Sequence, residues 1–122
     1  MATSATDLAI SSQEPGDCTP AHPAVTEIEL ASVLHALSDP IRLKIVATLA
    51  CGGERTCSSI DLPVVKSTCT HHFRVLREAG VIRQRLEGKT RLNSLRRAEL
   101  EQRFPGLVQA VLGAAASASA DT

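Results

Sequence analysis

The chain has 122 residues, room for one domain with tails, and its thirteen basic residues balance thirteen acidic ones. No apolar run approaches membrane-spanning length and no signal-peptide pattern opens the chain, so the reading is a protein without a membrane partner. Four cysteines at irregular spacing read as reduced thiols, which points to the cytoplasm.

A neutral total argues against a nucleic-acid partner, but the distribution reverses that argument. Residues 41–97 hold twelve Lys and Arg against Glu54, Asp61, Glu78 and Glu87, a local excess of eight. The flanks carry only Arg103 against nine acids. Such segregation creates a positive patch on a neutral molecule.

Residues 1–22 are rich in Ser, Thr, Ala, Asp and Pro without apolar period, and are expected to form a disordered tail. Thr26 and Glu29 have capping-box spacing, and Leu30, Val33, Leu34 and Leu37 follow on one helical face. Asp39-Pro40 opens a second helix, with aspartate as N-cap and proline where a missing N–H costs nothing. Ile41, Leu43, Ile45, Val46 and Leu49 cover more than one face, so this helix should be central; Cys51-Gly52-Gly53 ends it.

A short helical element is expected around Ser58–Leu62, stopped by Pro63. The next helix runs from an N-cap Ser67 to a glycine stop at Gly80, with Cys69, Phe73 and Leu76 inward. Val81–Leu86 then pairs with Thr90–Leu95 across a turn at Glu87-Gly88-Lys89. A last helix over 98–112, kinked or broken at Pro105, precedes an unpatterned flexible tail at 114–122. The expected fold is mainly α (α+β): a winged helix-turn-helix over 23–113, with about five helices and a two-stranded β wing. Leu100, Phe104, Leu107, Val108, Val111 and Leu112 give the last helix an apolar face, assigned with the first helix to a homodimer interface. The alternative is that this face packs on its own core.

A polar helix face beside a basic hairpin can read a groove while gripping phosphates. Thr68, Thr70 and His71 are the candidate base contacts, and Arg74, with Arg77 near the helix end, meets guanine or phosphate. Lys66 and Ser67 lie where the free N–H groups of a helix start would meet a phosphate. Arg85, Lys89 and Arg91 are the candidate wing contacts.

Three segments together resemble the ArsR/SmtB group of bacterial winged-helix repressors. They are Ala36-Leu37-Ser38-Asp39-Pro40-Ile41-Arg42-Leu43, the run from Lys66 to Ile82, and the Glu87-Gly88-Lys89 wing tip. The resemblance spans roughly residues 25–112. It implies a homodimer, joined through first and last helices, that binds an imperfect palindrome in double-stranded operator DNA and leaves it when an inducer binds.

Metal-sensing members carry a Cys-x-Cys-like pair before the recognition helix, or Asp/His and His/Glu pairs on the last helix. Here Cys57 stands alone in the first position, and residues 98–115 contain no histidine, with Glu99 and Glu101 poorly placed as a pair. A divalent metal would need Cys18 and His22 to fold across to Cys57, a weaker pattern. Cys51, Cys57 and Cys69 are candidates for thiol sensing instead, with Arg55 near enough in sequence to favour a thiolate. Cys69 also reads as a small inward hydrophobe. Adjacent His71 and His72 diverge by about 100° on a helix, so they do not share an ion. His35 lies on the polar side of the first helix.

The function expected is a sequence-specific DNA-binding transcriptional regulator with an unidentified inducer. A thiol-redox or metal-sensing repressor of the same fold is the alternative, as is a protein-interaction module using the same surface. An enzyme is not expected, because no phosphate loop, carboxylate pair or nucleophile–base arrangement is brought together; a Cys69–His72 dyad would place its thiol inward without a cleft.

Overall fold

The computed structural model describes residues 21–121, with side-chain environments for 21–117. The chain runs as α1 (Leu30–Ala36), α2 (Pro40–Ala50), β1 (Arg55–Thr56), α3 (Lys66–Ala79), β2 (Ile82–Glu87), β3 (Thr90–Leu95), α4 (Arg97–Arg103) and α5 (Leu107–Asp121). Short 3-10 turns at Val25–Glu27 and Cys57–Ser59 precede α1 and follow β1. The sheet order is β1-β3-β2, all antiparallel. This is a winged helix-turn-helix of five α-helices, with one strand more than the hairpin alone provides.

Local chemistry explains most boundaries. Asp39 Oδ2 accepts from the N–H groups of Ile41 and Arg42 at 2.8 and 3.1 Å, which caps α2 ahead of Pro40. Gly80 closes α3 with φ +90°, and its N–H donates to the Arg77 carbonyl. Glu87 pairs with Thr90, so Gly88-Lys89 forms a two-residue turn, with Gly88 at φ +65°. Pro105-Gly106 breaks the last helix cleanly into α4 and α5.

Four boundaries differ from the sequence expectation. Glu27, rather than Glu29, bends back to accept from the Ala24 N–H, and α1 starts at Leu30 with Glu29 as N-cap. The intervening Ile28 is extended and buried against Gly80, which a continuous helix from Thr26 would not allow. Val65, not Ser67, is the N-cap of α3, and it makes no side-chain cap bond. The element expected at Ser58–Leu62 is a 3-10 turn at Cys57–Ser59 with an extended exit through Ile60. Finally, α5 continues to Asp121 through an alanine-rich run, for which helix propensity is highest. Of the expected tail over residues 1–22, residues 1–20 lie outside the described residues, and His22 is held against β2.

Ile28, Val33, Ala36, Ile45, Val46, Leu49, Phe73, Leu76, Val81, Ile82, Leu100 and Val108 belong to the core. Ile45, Val46 and Leu49 place α2 at its centre. Leu100 and Val108 are sealed in this core, and Phe104, Leu107 and Leu112 pack partly against it. The apolar face of the last helices therefore covers its own domain first. On α1, Leu30 and Leu34 remain 45% and 47% exposed.

Candidate nucleic-acid interface

The outer face of α3 is set by its inner face. Cys69, His72, Phe73, Leu76 and Ala79 are buried, so Lys66, Ser67, Thr70, His71 and Arg74 stand exposed on the other side. Among the described residues no side chain caps the start of α3, which leaves its first N–H groups open beside Lys66 and Ser67. The wing contributes through parity. Ile82 and Gln84 are buried, and Gln84 pairs with Asn93, so Gln84, Leu86, Arg91 and Asn93 share the sheet face turned to α3.

Two grooves join helix and wing. Thr70, Arg74, Arg77 and Arg91 line one, together with Gln84 and Asn93. Lys66, Lys89 and Arg91 edge the other, which runs over Cys57 and Cys69. Arg91 belongs to both, so the exposed helix face and the wing form one continuous cationic surface.

Three sequence-predicted residues take other positions. Thr68 is half-buried, on the same line of the helix as half-buried Val75 and roughly 160° from Thr70. Arg77 turns inward, its side chain 15% exposed, and donates to Gln84 Oε1 at 3.0 Å. Its Nε is buried with no partner among the described residues. Burial first, with Arg91 and Arg74 acting in the same sense, lowers its pKa against the pull of Glu78. Arg85 lies on the sheet face away from α3 and grips Glu54 through two bonds of 2.6 and 2.7 Å. That pairing holds the Glu54 carboxyl below its ordinary range.

The positive patch is accordingly narrower than composition implies. Arg42 is buried, Arg85 is held by Glu54, and Arg83 and Arg96 both clasp Glu99, whose carboxyl the Arg96 bond lowers first. Lys66, Arg74, Lys89 and Arg91 carry the exposed charge on the helix–wing side.

Behind this surface runs a polar relay that the sequence reading missed. Arg77 donates to Gln84, Gln84 Nε2 donates to Asn93 Oδ1 at 2.6 Å, and Asn93 Nδ2 donates to the Arg55 carbonyl at 3.0 Å. The relay ties α3 to all three strands. Period-two burial from Ile82 would have placed Gln84 inward and Arg83 and Arg85 outward, which is the signal that could have found it.

The candidate sensor residues separate. His22 Nε2 accepts from the Gln84 N–H at the outer edge of β2, whereas Cys57 follows β1 at the opposite edge of the sheet. His22 therefore does not join Cys57, and Cys18 lies outside the described residues. Burial first, then Arg83 and Arg96, lowers the His22 pKa. Among the described residues no three His, Cys, Asp or Glu side chains gather as a metal would require. Cys51 is exposed at the end of α2, and its Sγ lies 3.6 Å from the Ala47 carbonyl. Cys57 and Cys69, by contrast, meet at 2.8 Å between sulfurs. Burial first, then Cys57, raises the pKa of the Cys69 thiol. His35 is exposed beside a shallow groove between α1 and α3.

A helix-turn-helix domain family matches residues 37–85. The HTH-type transcriptional regulator YceK of Bacillus subtilis (strain 168) is 37% identical over 82 residues, covering 65% of this chain and 82% of YceK. Among solved structures, the transcriptional repressor BigR from Xylella fastidiosa is 31% identical with a TM-score of 0.55, over 67% of this chain and 81% of that one. An ArsR-like transcriptional regulator from Rhodococcus sp. RHA1 is 27% identical with a TM-score of 0.57, over 80% and 92% of the two chains. The chain belongs to the ArsR/SmtB-type winged helix-turn-helix regulators. It is a DNA-binding transcriptional regulator. Among the described residues no helix is long and apolar enough to cross a membrane.

Proposed function

We propose that this regulator is a homodimeric repressor that reads an imperfect palindrome in operator DNA and leaves it when an inducer acts. In this reading Thr70, His71 and Arg74 address base edges in the major groove. Lys66, Ser67, Lys89 and Arg91 hold phosphates on either side. Arg77 supports the helix through Gln84 rather than touching DNA, and Arg85 and Thr68 take no direct part.

The observation that carries the reading is the shared cationic surface of α3 and the wing, with Arg91 lining both grooves. The start of α3, where the N-cap Val65 makes no side-chain hydrogen bond, suits an anionic ligand. The repressor role is supported by the likeness to BigR. Exposed Leu30 and Leu34 on α1 support a dimer through the first helix, which the last helix would complete. The functional domain then covers residues 23–113, it works by binding rather than catalysis, and its place is the cytoplasm.

Selection from a random duplex library tests this, combined with molecular-mass measurement in solution. The expected result is a dimer that enriches two inverted half-sites about one helical turn apart. A monomer, or a pool without enriched sequence, contradicts it.

A further inference from the structure

Cys57 hangs from the end of β1 in the 3-10 turn, while Cys69 lies in the buried face of the first turns of α3. Both are free thiols, and their sulfurs are 2.8 Å apart. A disulfide bond is about 2.05 Å long, so closing it needs less than about 1 Å of further approach. Both thiols also line a groove of about 620 Å³ over Ile60, Leu62 and Val64, which opens them to a small solute.

We infer that Cys57 and Cys69 form a reversible disulfide under hydroperoxides, and that this bond re-seats the recognition helix and weakens DNA binding. The second half rests on the DNA-contact assignment proposed above. The bond would join the strand that anchors the wing to the helix turn carrying Ser67, Thr70 and His71. Drawing the sulfurs together shifts that turn relative to Lys89 and Arg91, so helix and wing no longer fit the duplex simultaneously.

The chemistry closes without a cofactor. Cys57, the more exposed sulfur, attacks one peroxide oxygen as thiolate; the O–O bond breaks and water leaves with a proton from solvent. The sulfenic acid on Cys57 is then attacked by Cys69, which gives up its proton as a second water departs. Two thiols and one hydrogen peroxide become one disulfide and two waters, with two electrons passing from sulfur to oxygen. Burial first, then the hydrogen bond and charge of Cys57, push the Cys69 thiol up to about 12. Oxidising Cys57 to a neutral sulfenic acid removes its charge, which eases the second step.

The test uses the full chain, fully reduced or treated with hydrogen peroxide and then catalase. Peptide mass mapping after thiol blocking is paired with titration onto the selected operator. The expected result is a Cys57–Cys69 cross-linked peptide, an affinity lower by at least about fivefold, the loss of one base contact, and recovery with dithiothreitol. Cys57→Ser and Cys69→Ala should bind as the reduced wild type does and ignore peroxide, while Cys51→Ser should still respond. A bond to Cys18 or Cys51 instead, no bond at all, or a Cys57–Cys69 bond with unchanged affinity overturns the inference. Failure of the reduced protein to select any sequence instead overturns the DNA assignment, and the peptide map still decides the bond.

Discussion

Arg42 Nη1 donates to His72 Nδ1 at 3.0 Å inside the protein, joining the central helix α2 to the recognition helix α3. The same guanidinium donates to the Ala36 carbonyl at 2.6 Å and the His35 carbonyl at 3.4 Å. A residue that composition counts toward the basic patch is thus a buried clamp. Replacing it by leucine leaves the Ala36 carbonyl and His72 Nδ1 without their donor, while the His35 carbonyl keeps Ser38, so Arg42→Leu should lose about 2–4 kcal/mol of stability. Urea unfolding followed by circular dichroism measures this; a loss under about 1 kcal/mol would mean the clamp is dispensable.

Acid should loosen the same clamp. A guanidinium can only donate, so His72 Nδ1 must accept and its proton sits on Nε2. Protonating Nδ1 sets two donors against each other. Burial first, with Arg42 and His71 in the same sense and Asp39 opposing, lowers the His72 pKa from 6.5. The unfolded chain therefore binds the proton more readily. The stability this contributes is complete above the ordinary value and is lost as pH falls through the lowered one. His22 shifts the same way. For Asp39, partial burial pushes its pKa up, but the N–H groups of Arg42 and Ile41 outweigh it, so its contribution is lost only at pH below 3.8. Stability should decline as acidification takes the protein below the ordinary histidine value of 6.5. His72→Asn, which keeps an acceptor without the titration, should flatten that decline; an unchanged slope would assign it elsewhere.

Gly80 should tolerate no side chain. It closes α3 at φ +90°, and a Cβ there would lie 2.6 Å from Ile28 Cγ1. Gly80→Ala therefore combines backbone strain with overlap and should lose about 2 kcal/mol or more. Adding Ile28→Ala should recover less of this than the overlap alone suggests, because the strain persists and a cavity opens. Thermal melts of the single and double variants provide the comparison.

The two sheet faces of the wing predict opposite outcomes for neighbouring cations. Lys89→Ala should weaken every duplex similarly and reduce the salt slope of binding by about one. Arg85→Ala removes a side chain already held by Glu54 on the far face, and should leave affinity and slope near wild type. Anisotropy titrations across salt concentrations distinguish them.

Much of this architecture is legible because its signals are local. Asp39-Pro40, Gly80 and Gly88 each satisfy a requirement of their immediate backbone, and the Cys69-Phe73-Leu76 stripe orients α3 without tertiary knowledge. The two residues of β1 carry no periodicity, and they become a strand only through pairing with Leu92 and Asn93. Ser67 looks like a cap in isolation, yet the cap is Val65, two residues earlier, and the helix begins at Lys66. Charge counting similarly overstated the wing, because the partners of Arg85 and Arg83, Glu54 and Glu99, are distant in sequence. The meeting of Cys57 with Cys69 depends on how the turn between them folds, which spacing alone does not reveal.

The most direct test of the interface compares wild type and Arg74→Ala, both reduced, on the selected operator and on a scrambled duplex. The exposed face of α3 predicts that Arg74→Ala weakens operator binding by about 1–3 kcal/mol and erases most of the preference over the scrambled sequence. An Arg74→Ala protein that keeps the wild-type ratio between the two duplexes would show that this face does not read the DNA.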